Sequence, residues 1–433
     1  MKMLGRAMAL FISLASLLYP VQAQASPLYS FTSHTFTTCG ASGRNGPTLT
    51  QCRNEYTGAI WSKNPGYLNV SGGIESWTAP STGLYQITAA GAPGVGDNKV
   101  RGSGAIVRAT VTLSKGSVYR ILIGQAGSNG SGGSGGGGGG TFLVDASNNP
   151  ILVAGGGGGA TFGIGTNSTA NGQTTTSGAT NSDASTSGGA NGGGGSSSRY
   201  TGGGAGMTGN GGVPSDAAIN NYSGNSLSFT NGGTGGPTQN TAFGGFGGGG
   251  GTHGNTGGGG GGGGYSGGAG GPNYTGPHNG GGGGSFVMAG ATNVATSNGS
   301  YAGSSSGITN LNQYNGTYES TTIPHGYLTI TNLNSVSVQV SSVSGGNTAS
   351  YRTSFQVRAT LSEAGGKVTF YQQGKVIPNC KSISTGTTTA TCSWSPSFKG
   401  AILITASVIP NSDTMGSTSP PVTFLVGRRT TLR

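Results

Sequence analysis

Six glycine runs constrain this chain more than any other feature: residues 135–140, 155–159, 192–195, 247–251, 257–264 and 280–284. Glycine supplies 94 of the 433 residues and loses more backbone freedom on folding than any other residue, so such runs order only where something repays the cost. Charged residues make up 7% of the chain, too few for the usual charge-solvated disordered protein, and no strict G-X-Y period marks a collagen helix. Strand-like words abut the runs: "TFLVD" follows the first, "PILVAG" leads into the second and "SFVMAG" follows the last. That coupling places the runs in a folded unit, with a flexible spacer as the competing reading.

The folded solution is polyglycine II, an extended three-fold helix rising about 3.1 Å per residue with no internal hydrogen bonds. Its N–H and C=O groups point outward in three directions and need partners on neighbouring helices. Without Cβ atoms, such helices pack side by side through N–H···O and Cα–H···O contacts. The run Gly257, Gly258, Gly259, Gly260, Gly261, Gly262, Gly263 and Gly264 spans roughly 25 Å in this form and is the expected core of the bundle.

Around the glycine zone the chain reads as β-structure. In residues 26–65, "GPTLTQCRNEY" places Leu49, Cys52 and Tyr56 on one face of a short helix, with Pro47 suited to its first turn. Four strand words follow in "GGIESWTAPSTGLYQITAAGA" and "GAIVRATVTLSKGSVYRILIGQAG"; Tyr85, Ile87 and Ala89 share one face. From about residue 334 short alternating strands with turn signals give the pattern of a β-sandwich.

The first 25 residues read as a secretory signal: Lys2 and Arg6, an apolar stretch Met8 to Leu18, and the A-x-A site Ala23-Gln24-Ala25. A membrane anchor is the alternative, although the apolar stretch is shorter than the ~20 residues a span needs. Four cysteines fit an oxidising compartment. Three pairings are formally open, and the local ones, Cys39 with Cys52 and Cys380 with Cys392, are favoured over zinc ligation because neither has C-x-x-C spacing. For the second, a link between adjacent strands or across their connecting loop is expected. The net charge is +11, with much of the excess beyond residue 334; scattered basic residues without an aromatic stacking platform argue for solvated strand faces rather than nucleic-acid binding.

Residues 66–333 resemble the glycine-rich domain of the anaplastic lymphoma kinase and leukocyte tyrosine kinase ectodomains, a type also found in bacterial and phage proteins. The likeness rests on "SWTAPSTGLYQITAAGAPG", "ILIGQAG", "GGGGGGTFLV", "PILVAGGGGGA", "FGGFGGGGG", "GGGGYSGG", "GGGGSFV" and "PHGYLTI" in order. It implies a mainly β, jelly-roll-like sandwich with an inserted polyglycine II helix bundle, of the kind that holds recognition loops in some phage tail adhesins. Residues 334–428, through "GKVTFYQQGKVIPNC" and "TATCSWSPSFKGAILITA", resemble a bacterial immunoglobulin-like repeat, a C-terminal Ig-like β-sandwich, leaving 429–433 as a basic tail. No H-R-D-L-x-x-x-N or D-F-G motif occurs, so kinase activity is not expected to carry over.

Other chemistry is weakly signalled. G-x-S-x-G at Gly132-Gly133-Ser134-Gly135-Gly136 is near-inevitable in glycine-rich sequence and has no strand-to-helix elbow around it. The histidines His34, His253, His278 and His325 are dispersed, and the isolated Asp97, Asp145, Asp183 and Asp216 form no catalytic pair. Phe142, Phe243, Phe246 and Phe286 read as packing between scaffold and bundle. Tyr200, Tyr222, Tyr274 and Tyr314, in polar connectors, have the composition of binding loops and are the candidate ligand contacts. The expectation is a secreted, non-enzymatic surface protein without cofactor, metal or membrane span. It presents loops to a glycan or protein on a host or neighbouring cell. A self-associating filament or sheath subunit and a soluble receptor ligand are the competing classes, and a polysaccharide-acting enzyme is a remote one.

Overall fold

A computed structural model of the chain describes residues 27–29, 31–96, 102–130, 133–161, 168–215, 225–238, 241–253, 258–272, 278–298, 325–333, 338–362, 364–409 and 418–427. Two antiparallel sheets form the N-terminal scaffold. One has the order β1 (Ser33–Phe36), β11 (Tyr327–Asn332), β4 (Gly83–Ala90), β5 (Ile106–Leu113), β10 (Thr292–Ser297). The other has the order β2 (Leu68–Ser71), β3 (Ile74–Thr78), β6 (Val118–Leu122), β7 (Thr141–Asp145), β8 (Pro150–Ala154), β9 (Phe286–Val287). Trp77, Tyr85, Phe36, Leu68 and Ile87 are fully buried in their shared core, and the expected alternation of Tyr85, Ile87 and Ala89 faces inward.

The segment 26–65 joins the scaffold, since β1 pairs with β11 across almost the whole length of the unit. In one feature it differs from the sequence expectation. Its helix α1 (Leu49–Glu55) starts at the N-cap Thr48, which forms a reciprocal capping box with Gln51. Pro47 therefore precedes the cap instead of occupying the first turn.

Between these strands runs the glycine zone, whose described residues form two short 3-10 turns, Ser168–Ala170 and Phe229–Asn231, and little other helix or strand. Its order lies in the hydrogen bonds. The N–H groups of Gly259 and Gly262 donate to His278 and Gly281, those of Gly260 and Gly263 to Gly135 and Gly138, and those of Gly261 and Gly264 to Gly202 and Ala205. The carbonyls repeat the same step: Gly259 and Gly262 accept from Gly271 and Gly268, and Gly260 and Gly263 from Gly159 and Gly156. Gly261 accepts from Gly250. Residues 258–264 are thus buried among six neighbouring segments, five of them met again three residues later. Gly257 lies outside the described residues.

Side chains are replaced by backbone here. A Cβ on any residue from Gly258 to Gly264 would sit 1.8–2.5 Å from a main-chain oxygen. The zone is clamped to the second sheet by Phe142, Phe229, Phe246, Met207, Leu122 and Val153, with Tyr265 stacked on Phe286 at 4.7 Å. Phe243 lies against Gly43.

The C-terminal unit is a second sandwich-like pair of sheets. β12 (Val338–Ser342), β14 (Phe355–Leu361) and β18 (Thr389–Trp394) form one, in that order. The other runs β13 (Thr348–Ser350), β20 (Val422–Gly427), β19 (Gly400–Ile409), β15 (Gly366–Gln372), β16 (Lys375–Val376), with β17 (Ile383–Thr385) also on β15. Phe370, Phe424, Trp394, Ile404 and Val357 fill its core. Cys380 sits in the turn after β16 and its carbonyl accepts from Phe370 of β15, while Cys392 belongs to β18. Their disulfide ties one sheet to the other, where a link between adjacent strands or across their connecting loop was expected; the route through β17 changes sheets between the two cysteines.

Candidate functional site

The glycine runs leave the scaffold strands directly, 135–140 into β7, 155–159 out of β8 and 280–284 into β9, so their other ends gather at one tip. Hydrogen bonds fix which residues meet there. Ser198 Oγ and Thr201 Oγ1 donate to the Gly271 carbonyl at 2.7 and 2.6 Å, Thr252 Oγ1 donates to Gly258 O at 2.7 Å, and His253 N–H donates to Tyr200 O at 3.0 Å. Tyr200 is half-buried at this tip, with the Arg199 guanidinium 4.9 Å from its ring centroid and the His253 ring at 6.1 Å. The guanidinium over the aromatic face places a positive charge beside the Tyr200 ring. Tyr222, Tyr274 and Tyr314 lie outside the described residues.

A second site, missed in the sequence, lies on the scaffold. A cavity of about 790 Å³ runs beside β1, lined among others by His34, Thr35, Tyr29, Trp61, Tyr67 and Glu55. His34 meets Phe36, Tyr56 and Trp61 edge-on at 4.8, 4.4 and 5.0 Å, and burial pushes its pKa down to about 4, so the imidazole is neutral. Beneath it the Tyr56 hydroxyl donates to Glu75 Oε1 at 3.1 Å and accepts from the Thr37 N–H at 2.9 Å. Glu75 is 1% exposed, and burial raises its carboxyl to about 8 against the opposing Tyr56 hydrogen bond. Burial, followed by the Glu75 charge, pushes the Tyr56 hydroxyl above the ordinary phenol range.

Cys39, Cys52 and Glu75 bring donor atoms within 4.8 Å of one another, yet both sulfurs are joined in the Cys39–Cys52 disulfide. Only the thiolate ligates metal, so the trio is packing. The chain did carry a signal for Glu75: two residues from Trp77 on a strand, it shares the core face.

Over 97 residues the chain is 40% identical to the leukocyte tyrosine kinase receptor of Mus musculus. That stretch covers 22% of this chain and 11% of the receptor, and it supports the glycine-rich domain type over that part. No family model matches. Among the described residues no helix is long and apolar enough to cross a membrane.

Proposed function

We propose that this chain is a secreted, non-catalytic surface protein, exported by its first 25 residues, in which a polyglycine II bundle holds recognition loops at its tip. The observation that carries the reading is the three-residue repeat of hydrogen-bond partners along residues 259–264, the repeat a three-fold extended helix demands. Likeness to part of a receptor and two disulfides favour an extracellular setting. The C-terminal pair of sheets, with Trp394 and the Cys380–Cys392 disulfide in one core, fits the Ig-like domain read from the sequence. A non-enzymatic reading is favoured because the strongly shifted groups, Tyr29, His34, Tyr56 and Glu75, are packed against the aromatic N-terminal segment. The ligand class is a glycan or protein on a cell surface.

A glycan and cell-surface binding screen tests this. Expected is saturable binding by the full chain that falls about tenfold or more in Tyr200→Ala with unchanged thermal unfolding, as for a tyrosine anchor in a binding loop. Absence of binding across the screen, or full binding by the variant, rules out the tip as the recognition surface. A second reading, a self-associating filament subunit, is favoured by the edge of β1, which has no partner strand among the described residues.

A further inference from the structure

β1 ends its sheet, so one of its edges has no partner strand among the described residues. The Thr32 carbonyl accepts from Asn332 of β11 at 2.6 Å, whereas the Thr37 N–H turns the other way, to Tyr56. Main-chain groups alternate sides along a strand, so Ser33 and Thr35 direct their N–H and C=O away from β11. The cavity lies on that side: it is lined by Ser33, His34 and Thr35 in succession, and consecutive residues share a cavity only when it runs beside the strand's edge. Its opposite wall is aromatic and apolar, with Trp61 at the base and Ile60, 85% exposed, at the rim. A hydrogen-bonding edge facing an apolar wall is the arrangement that accepts an extended polypeptide.

Charge narrows the occupant. The chain carries a net +11, yet no Lys or Arg lines this groove and Glu55 stands in it. Residues 428–433, Arg-Arg-Thr-Thr-Leu-Arg, lie beyond the described end of β20 and combine three cations with a β-branched pair and one leucine. Four residues of β1 span about 13 Å, a length that such a segment covers as one strand. We propose that the groove takes residues 428–433 of a second copy as an added strand, joining copies head to tail. Main-chain bonds to Ser33 and Thr35 supply the pairing, Glu55 attracts the arginines, and Leu432 covers Ile60 and Trp61. A heterologous contact of this kind propagates unless rotation closes a ring. It stands apart from ligand recognition at the bundle tip, so failure of either leaves the other standing.

Sedimentation of the full chain over a wide concentration range provides the test, with the peptide Gly-Arg-Arg-Thr-Thr-Leu-Arg and a scrambled version as competitors. Expected is concentration-dependent association, weaker at high salt, which the native peptide reverses and the scrambled one does not. Glu55→Lys should weaken association about tenfold or more, since like charges across an interface repel. Ser33→Pro with Thr35→Pro removes the two outward N–H groups, together with the Ser33–Thr331 and Thr35–Thr329 hydroxyl bonds, and should do the same. Should the proline variant fail to fold, Glu55→Lys at its exposed position carries the test alone. A full chain that stays monomeric overturns the proposal, as does association that survives deletion of 428–433 or is reversed equally by the scrambled peptide.

Discussion

Two residues show how differently a buried position is specified in this chain. Glu75 is an ionisable group held neutral. Its carboxyl pKa moves from 4.5 to about 8, so stability is fully present below pH 4.5, falls as pH rises and the unfolded chain alone ionises, and is lost through pH 8. Glu75→Gln should flatten that slope: similar unfolding at pH 4 and a stability advantage of several kcal/mol at pH 9, read by chemical denaturation. A variant that tracks the parent at both pH values would show the carboxyl to be solvated. Gly260 is specified by what it lacks, since a Cβ there meets the Gly250 carbonyl oxygen at 2.0 Å. Gly260→Ala should separate two segments and unpair buried main-chain groups at about 1–3 kcal/mol each. Gly58→Ala, where a Cβ meets nothing within 4 Å, should stay within about 0.5 kcal/mol. Equal melting of the two variants would count against a packed glycine core. The sequence made Gly260 legible as a core residue through its run; Glu75 was legible only through its two-residue offset from Trp77.

At the scale of elements, the strand words were readable because alternation in segments such as "GLYQITAA" has one physical meaning, a half-buried strand. What could not be read was which sheet each strand joins. β5 and β6 follow one another across a four-residue turn, yet they lie in different sheets. β1 finds its partner β11 roughly three hundred residues later, and no local pattern encodes such a pairing. The Cys380–Cys392 bridge has the same character: its spacing was plain, and its role across two sheets depended on a sheet switch inside a 12-residue separation. Replacing both cysteines by alanine should cost the C-terminal sandwich roughly 3 kcal/mol, from the loop the bridge closes. Scanning calorimetry would show a lowered transition for that unit, and an unchanged one would mean that Trp394 and Phe424 packing suffices without the bridge.

For the whole molecule, the glycine zone inverts the usual division between core and connector. Backbone pairing takes the place of side-chain burial, so its amides should exchange with solvent as slowly as those of β4 and β5, measured by hydrogen exchange across residues 258–264. Random-coil exchange there would return the zone to a spacer. Tip residues were legible only as composition: Tyr200 was singled out and Arg199 adjoins it in sequence, but His253 reaches its ring only through the fold. The three-residue repeat also sets a rule for length. Identical residues carry no register of their own, so alignment is held at the anchored ends, by β7, β8, β9 and the clamp of Phe246 and Phe229. Adding one glycine to a run would turn every later N–H by a third of a revolution, toward the wrong neighbour. Adding three to adjacent runs restores each partner and lifts the tip by about 9 Å. Reach in such a molecule is therefore adjustable only in steps of three residues, and the loops can be carried farther out without being turned.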